Sequence, residues 1–196
     1  MATDGSAPTS DDAVPEPVRL VLISEGVAAT PQDDYGAGPG SLFDTTTLAA
    51  FAAAGLVVGS VAELRRLGVH LTVVLRQPHP PGRVDAATVR AAVPALQEEL
   101  ATFPGARAYA LMGDVAIAAV NQIARSRSGV RAVPAGATYR IRGGEFLLDG
   151  VRLFPSYLQA GPAWYIEASK RRMIAEDLAA ALAVAGIGTP RTSPAG

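Results

Sequence analysis

The sequence predicts a three-layer α/β fold: a mostly parallel sheet of four or five strands with helices on both faces. Three observations predict it. Short apolar runs rich in branched residues alternate with longer segments of helical periodicity, as in chains of β-α-β units. These runs are apolar on both sides, as strands buried under two helical layers must be. At 196 residues and 49% hydrophobic content, the chain is long enough to bury one substantial core.

The elements follow in order. Residues 18–24 (VRLVLIS) read as the first strand, and a loop rich in Gly, Pro and Asp comes next. Residues 41–54 place Leu42, Leu48 and Phe51 at helical spacing, with Gly55 as a stop. A second strand is expected over 70–75 (HLTVVL). The helical stretch 84–103 contains Pro94, which is expected to kink or divide it. Residues 106–113 read as a strand, and Gly113-Asp114 marks a sharp junction into a helix over 115–126. Residues 138–150 suggest a hairpin around Gly143-Gly144, followed by a strand over 151–154 and a helix over roughly 163–185. Residues 1–17 and 186–196 lack periodicity and are expected to be disordered tails flanking a domain over 18–185.

Composition narrows the chemistry. There is no cysteine and there are two histidines, so thiolate nucleophiles, disulfides and thiolate-held metals are excluded, and neither a metal nor another cofactor is expected. No apolar run reaches the length of a membrane span, and the N-terminus is acidic where a signal peptide is basic. A cytoplasmic monomer is the expectation. The formal net charge of −1 argues against a protein that coats nucleic acid, although residues 121–196 carry an excess of arginine.

Parallel sheets place ligand sites beyond the carboxyl ends of their strands, so the loops after Ser24, Leu75, Met112 and Phe154 are the ones to inspect. In the first, Glu25 is a strand-end carboxylate. It suits a catalytic acid or base, although the residues alone favour a cap for a neighbouring helix or a partner for an arginine. Tyr35 sits beside Gly36, Gly38 and Gly40, but those glycines lie too far from the strand for a dinucleotide fingerprint, and no P-loop lysine follows.

Five segments together carry a resemblance. The run LVLISEGVAA resembles a strand ending in Gly-Glu-Ala-Pro-Gly, with Glu25 on the acid. DDYGAGPGSLFDTTTLAAF follows it, with Tyr35 on an aromatic position. HLTVVLRQPHPP, AYALMGDVAIAAV and VRLFPSYLQAGP are similar to the middle strand, the strand-to-helix junction and the closing Phe-Pro-Thr-Tyr-His-Pro-Ser of the same family. That family is the uracil-DNA glycosylase superfamily, in its iron-sulfur, family-four-like branch, and the match runs over most of residues 18–182. The resemblance implies a DNA partner and hydrolysis of the N-glycosidic bond of uracil or another damaged base. Glu25 would orient water, Tyr35 would stack on the extruded base, and Ser24, Gly26, Ser156, Tyr157, Leu158 and Gln159 would surround it. Lys170, Arg171 and Arg172 are candidates for DNA phosphates, or a solvated helix face. His79 and Arg76, in the loop after Leu75, are candidates for the site mouth. Asn121 reads as a surface or inter-helix residue.

The departures are specific. Val73 stands where the family reads the base with asparagine, Leu158 stands where it has histidine, and the cluster cysteines are absent. A relative that binds a nucleobase, nucleotide or DNA without hydrolysis, and an unrelated α/β protein binding a small anion, are therefore the alternatives. The glycosylase reading expects the loops after Ser24, Leu75 and Phe154 to meet in one cleft, with Glu25 and Gln159 on the same side.

Overall fold

In the computed structural model, residues 17–78 and 84–188 are described. Five strands form one sheet: β1 (Leu20–Gly26), β2 (Val69–Leu75), β3 (Ala108–Met112), β4 (Phe146–Leu148) and β5 (Val151–Ser156). Their order is β2-β1-β3-β5-β4, with β4 antiparallel to β5 and the other pairs parallel. The helices are α1 (Leu42–Ala53), α2 (Val61–Arg66), α3 (Ala86–Ala101), α4 (Asp114–Ser128), α5 (Thr138–Ile141), α6 (Ala163–Ile166) and α7 (Ala168–Ala185).

Strand alternation divides the core into two layers. Val21 and Ile23 pack with Leu96 of α3 and Val120 of α4 on one face, while Leu20 and Leu22 pack with Phe51 of α1 and Leu178 of α7 on the other. The three-layer, mostly parallel α/β architecture is as expected. From β1 the chain runs outward to β2, then returns past β1 to β3 and on to β5. The order therefore reverses between β1 and β3, where a crevice opens at the carboxyl ends of the strands.

Several local expectations change. Helix α3 runs unbroken through Pro94, because Pro94 and Arg90, whose carbonyl loses its helical bond, both lie on the solvent side. The hairpin exists but turns at Asp149-Gly150, both at positive φ, whereas residues 138–141 form a helical turn. Glu167 takes an extended conformation (φ −146°) and splits the last helical segment into α6 and α7. Ile187, assigned by sequence to the C-terminal tail, is buried in the α1/α7 layer, so the fold continues past residue 185. The short helix α2, capped by the Ser60 hydroxyl on the Glu63 N–H, has too few residues for a periodicity to register.

Candidate functional site

The crevice at the strand ends is built around Glu25. Being odd-numbered on β1, like Val21 and Ile23, it points to the α3/α4 face. Its Oε1 accepts a hydrogen bond from the Val115 backbone N–H at 3.2 Å. The N-cap of α4 is Gly113, which has no side chain to cap with, so Glu25 supplies the missing acceptor from a neighbouring strand. Carboxylate and helix N-terminus attract one another electrostatically. Gly113 has φ 102°, and a Cβ placed on it would sit 2.3 Å from Glu25 Oε1, so glycine is required by both conformation and space.

Glu25 is partly exposed and lines a cleft of about 1150 Å³ between α3, α4 and the segment 131–136. Asp85 and Asp114 line it near the helix N-termini, and Arg125 and Arg131 line it elsewhere. Asp85 is itself the N-cap of α3, accepting from the N–H groups of Ala87 and Thr88; these bonds, with the Thr88 hydroxyl first among them, hold its carboxyl below the usual range. Asn121 is buried and holds the far wall: its amide donates to the Val133 carbonyl at 3.0 Å and accepts from the Val133 N–H at 2.9 Å.

The remaining motif residues lie on the other side of the sheet. Ser24, even-numbered on β1, points toward α1. The Gln159 amide nitrogen donates to the hydroxyls of Ser24, Tyr35 and Thr47 at 3.1, 3.2 and 3.3 Å, and Tyr35 Oη lies 2.6 Å from Thr47 Oγ1. Gln159 has no exposed surface, and Ser24 almost none. Burial pushes the Tyr35 phenol up to about 12, while hydrogen bonds from Thr47, Ser24 and Gln159 pull the other way. The Tyr35 ring meets Phe43 edge-on at 5.4 Å. The cluster therefore ties the loop after β1 to α1 and to the segment after β5.

Sequence expectation and structure therefore part here: Glu25 and Gln159 do not share a face. They follow strands on the same carboxyl edge, but the two-residue alternation of β1 sends adjacent side chains Ser24 and Glu25 to opposite layers. Ser156 is also internal. Its hydroxyl donates to Asp177 at 2.6 Å, and Asp177 pairs with Arg142 at 2.9 Å. Gly26 is buried within the β1–β2 pairing, Val73 pairs with Ser24 in register, and Tyr157 and Leu158 are half-buried against the α1/α7 layer. A smaller, mainly apolar cavity of about 510 Å³ lies between the loop after β1 and Pro78, lined by Val27, Ala28, Gln32, Asp34 and Gly36 among others. The loops after β1 and β2 thus share this cavity, whereas the segment after β5 meets the loop after β1 only in the sealed cluster around Gln159.

The cationic candidates are engaged within the protein. Lys170 pairs with Glu167 at 3.1 Å and stands 5.3 Å from the Tyr157 ring centre. Arg171 donates to the Trp164 carbonyl, and Arg172 pairs with Glu176 at 3.7 Å. Arg76 donates to Glu99, which also accepts from Thr72 and contacts His70 Nε2. His79 lies outside the described residues. Sequence reasoning missed Thr47, whose only signal is its place in a threonine triplet within an apolar helix, and it counted Arg125 and Arg131 only within the arginine excess of residues 121–196, since they carry no motif.

Among the described residues, no group of three or more His, Asp or Glu side chains is placed to hold a metal ion, and no helix is long and apolar enough to cross a membrane. Neither a scan against protein-family models nor a search of curated proteins finds a match to this chain.

Proposed function

We propose that this chain acts on nucleobases in DNA in the manner of the uracil-DNA glycosylase superfamily, hydrolysing an N-glycosidic bond with water oriented by Glu25. The observation that carries the proposal is the position of Glu25: a partly exposed carboxylate at the carboxyl end of β1, beside the strand-order reversal, anchored on the α4 N-terminus and open to a large cleft. Cleaving a base from deoxyribose builds positive charge on the sugar. A held carboxylate favours that charge and accepts a proton from the attacking water as the C–N bond breaks and the base leaves with the bonding electrons. The order of the five sequence segments supports the same family.

The single site expected for this reading, with Glu25 and Gln159 on one side, is not formed, and its base-reading half is lost with it. Gln159, Ser156 and Ser24 spend their hydrogen bonds inside the protein, so they act as scaffold for Tyr35 and the strand end, and base contacts fall to groups lining the two cavities. This sealing, together with Leu158 in place of a histidine donor, favours a second reading in which the protein binds a nucleobase or DNA and does not hydrolyse it.

One assay separates the two. Purified protein is incubated with single- and double-stranded oligonucleotides carrying uracil, hypoxanthine or xanthine, and base release and binding are measured together. Release that depends on Glu25 supports the enzyme. Binding without release supports the second reading. Neither release nor binding overturns both.

A further inference from the structure

We infer that Arg125 and Arg131 form a phosphate-binding pair at the far end of the Glu25 cleft, gripping the nucleic-acid backbone beside the nucleotide that reaches Glu25. This rests on the reading of Glu25 given above but names different residues and a different contact.

Both arginines line the same cleft as Glu25. Among the described residues, neither makes an ion pair or a side-chain hydrogen bond, in contrast to Lys170, Arg171 and Arg172, and to Arg127, which pairs with Asp149. Two planar guanidinium groups with their donors available suit an anion that offers several acceptor oxygens, such as a phosphate. The cleft is electrostatically polarised along its length. Glu25, Asp85 and Asp114 stand at the strand-end mouth, whereas Arg125 follows Asp114 by roughly three turns of α4, on the order of 16 Å along the axis. A phosphate is repelled from the acidic end and drawn to the basic one, while a sugar with developing positive charge is favoured at Glu25. That separation is too long for the phosphates of the reacting nucleotide itself, so the pair holds flanking backbone and contributes to binding, not to bond cleavage.

The wall carrying Arg131 is built in advance. Asn121 fixes the Val133 peptide through both its N–H and its carbonyl, so the chain just after Arg131 is ordered without any ligand. Binding then costs little ordering entropy in this segment.

The test uses the full chain and compares wild type, Arg125→Gln/Arg131→Gln and Lys170→Gln/Arg172→Gln. Affinity for a fluorescent uracil-bearing oligonucleotide is measured from about 50 to 200 mM salt, the range over which phosphate contacts register. Deoxyuridine 5′-monophosphate serves as the second probe. Both arginines are exposed, and circular dichroism checks that the fold survives. The Arg125→Gln/Arg131→Gln protein is expected to bind the oligonucleotide more weakly, with a log–log salt slope shallower by about two, and the Lys170→Gln/Arg172→Gln protein to keep a slope near wild type. Base release at saturating oligonucleotide should be unchanged in both. If the monophosphate binds in an arginine-dependent way and the oligonucleotide does not, the anion site stands and its occupant is a free nucleotide. An unchanged slope in Arg125→Gln/Arg131→Gln overturns the inference even when base is released through Glu25. So does failure of both probes to bind at low salt. Absence of base release already in the wild-type protein, with the slope difference intact, overturns only the assignment of Glu25; release lost in Arg125→Gln/Arg131→Gln alone overturns the binding-only role of the pair.

Discussion

The Glu25 carboxylate accepts the Val115 backbone N–H at 3.2 Å, across 90 residues of chain, and so closes the N-terminus of α4 from a different element. One side chain thereby joins β1 to α4 at the point where the strand order reverses. A structural cap and a water-orienting carboxylate are compatible roles, because a cap holds the group in one place, and the experiments below separate them.

Glu25→Gln retains an oxygen for the Val115 N–H and removes the charge. Stability is expected to fall by less than about 1 kcal/mol, the usual worth of a cap. Base release is expected to fall by about two to four orders of magnitude. Single-turnover release together with urea unfolding checks both. Equal loss of stability and activity would mean that the residue acts only as a cap.

Gly113→Ala should disturb both fold and site. A non-glycine residue at φ 102° carries strain of about 1–3 kcal/mol, and its Cβ would displace the Glu25 carboxylate. Gly129→Ala is the control. It also has positive φ, at the C-cap of α4, but its Cβ would meet open space, so a cost of about 1–2 kcal/mol with unchanged base release is expected. Denaturation midpoints and release rates of the two variants decide the matter.

The Tyr35 phenol, pushed up to about 12 by burial, keeps its proton in the folded state while the unfolded chain ionises near 10. Between those values the folded state holds more protons than the unfolded one, so stability should decline as pH rises through about 10 to 12. In Tyr35→Phe this component of the decline should vanish. Ultraviolet titration of the phenolates, alongside chemical denaturation at each pH, tests it.

Removing Gln159 should test the sealed cluster. Gln159→Leu keeps approximate volume and strips the shared partner from Ser24, Tyr35 and Thr47, at an expected cost of about 1–3 kcal/mol. The loop carrying Tyr35 should then show faster amide exchange. A variant as stable and as protected as wild type would show that the cluster does not hold the loop.

Asp177 joins α7 to the end of β5 through Ser156 and to Arg142, and burial raises its carboxyl above the usual range despite the hydrogen bonds from Arg142 and Ser156. Asp177→Ala leaves a half-buried guanidinium with the exposed Glu176 as its remaining carboxylate and the Met173 carbonyl as a neutral acceptor, so a loss of about 3 kcal/mol is expected, near the low end for breaking a buried pair. Thermal unfolding at neutral pH measures it.

The architecture was legible in the sequence because its signal is local. Runs such as residues 70–75 and 106–113 are short, apolar and bounded by turn residues, and a strand buried on both faces has no other way to be written. The placement of Glu25 was legible too, because a carboxylate immediately after such a strand must emerge at the sheet edge. The two possible roles of that carboxylate could not be separated, since the group it caps belongs to a helix far along the chain.

The amino-acid sequence by itself determined the alternation of the sheet strands with the longer helices, the absence of thiol chemistry, and the strand ends where chemistry can sit. Only the tertiary structure decided which of those residues share a space. Ser24 and Glu25 are neighbours in sequence, yet one is sealed against Gln159 and Thr47 and the other faces the cleft with Arg125 and Arg131. The physical reason is that a strand sends successive side chains to opposite faces, and the helix that packs on each face chooses their partners.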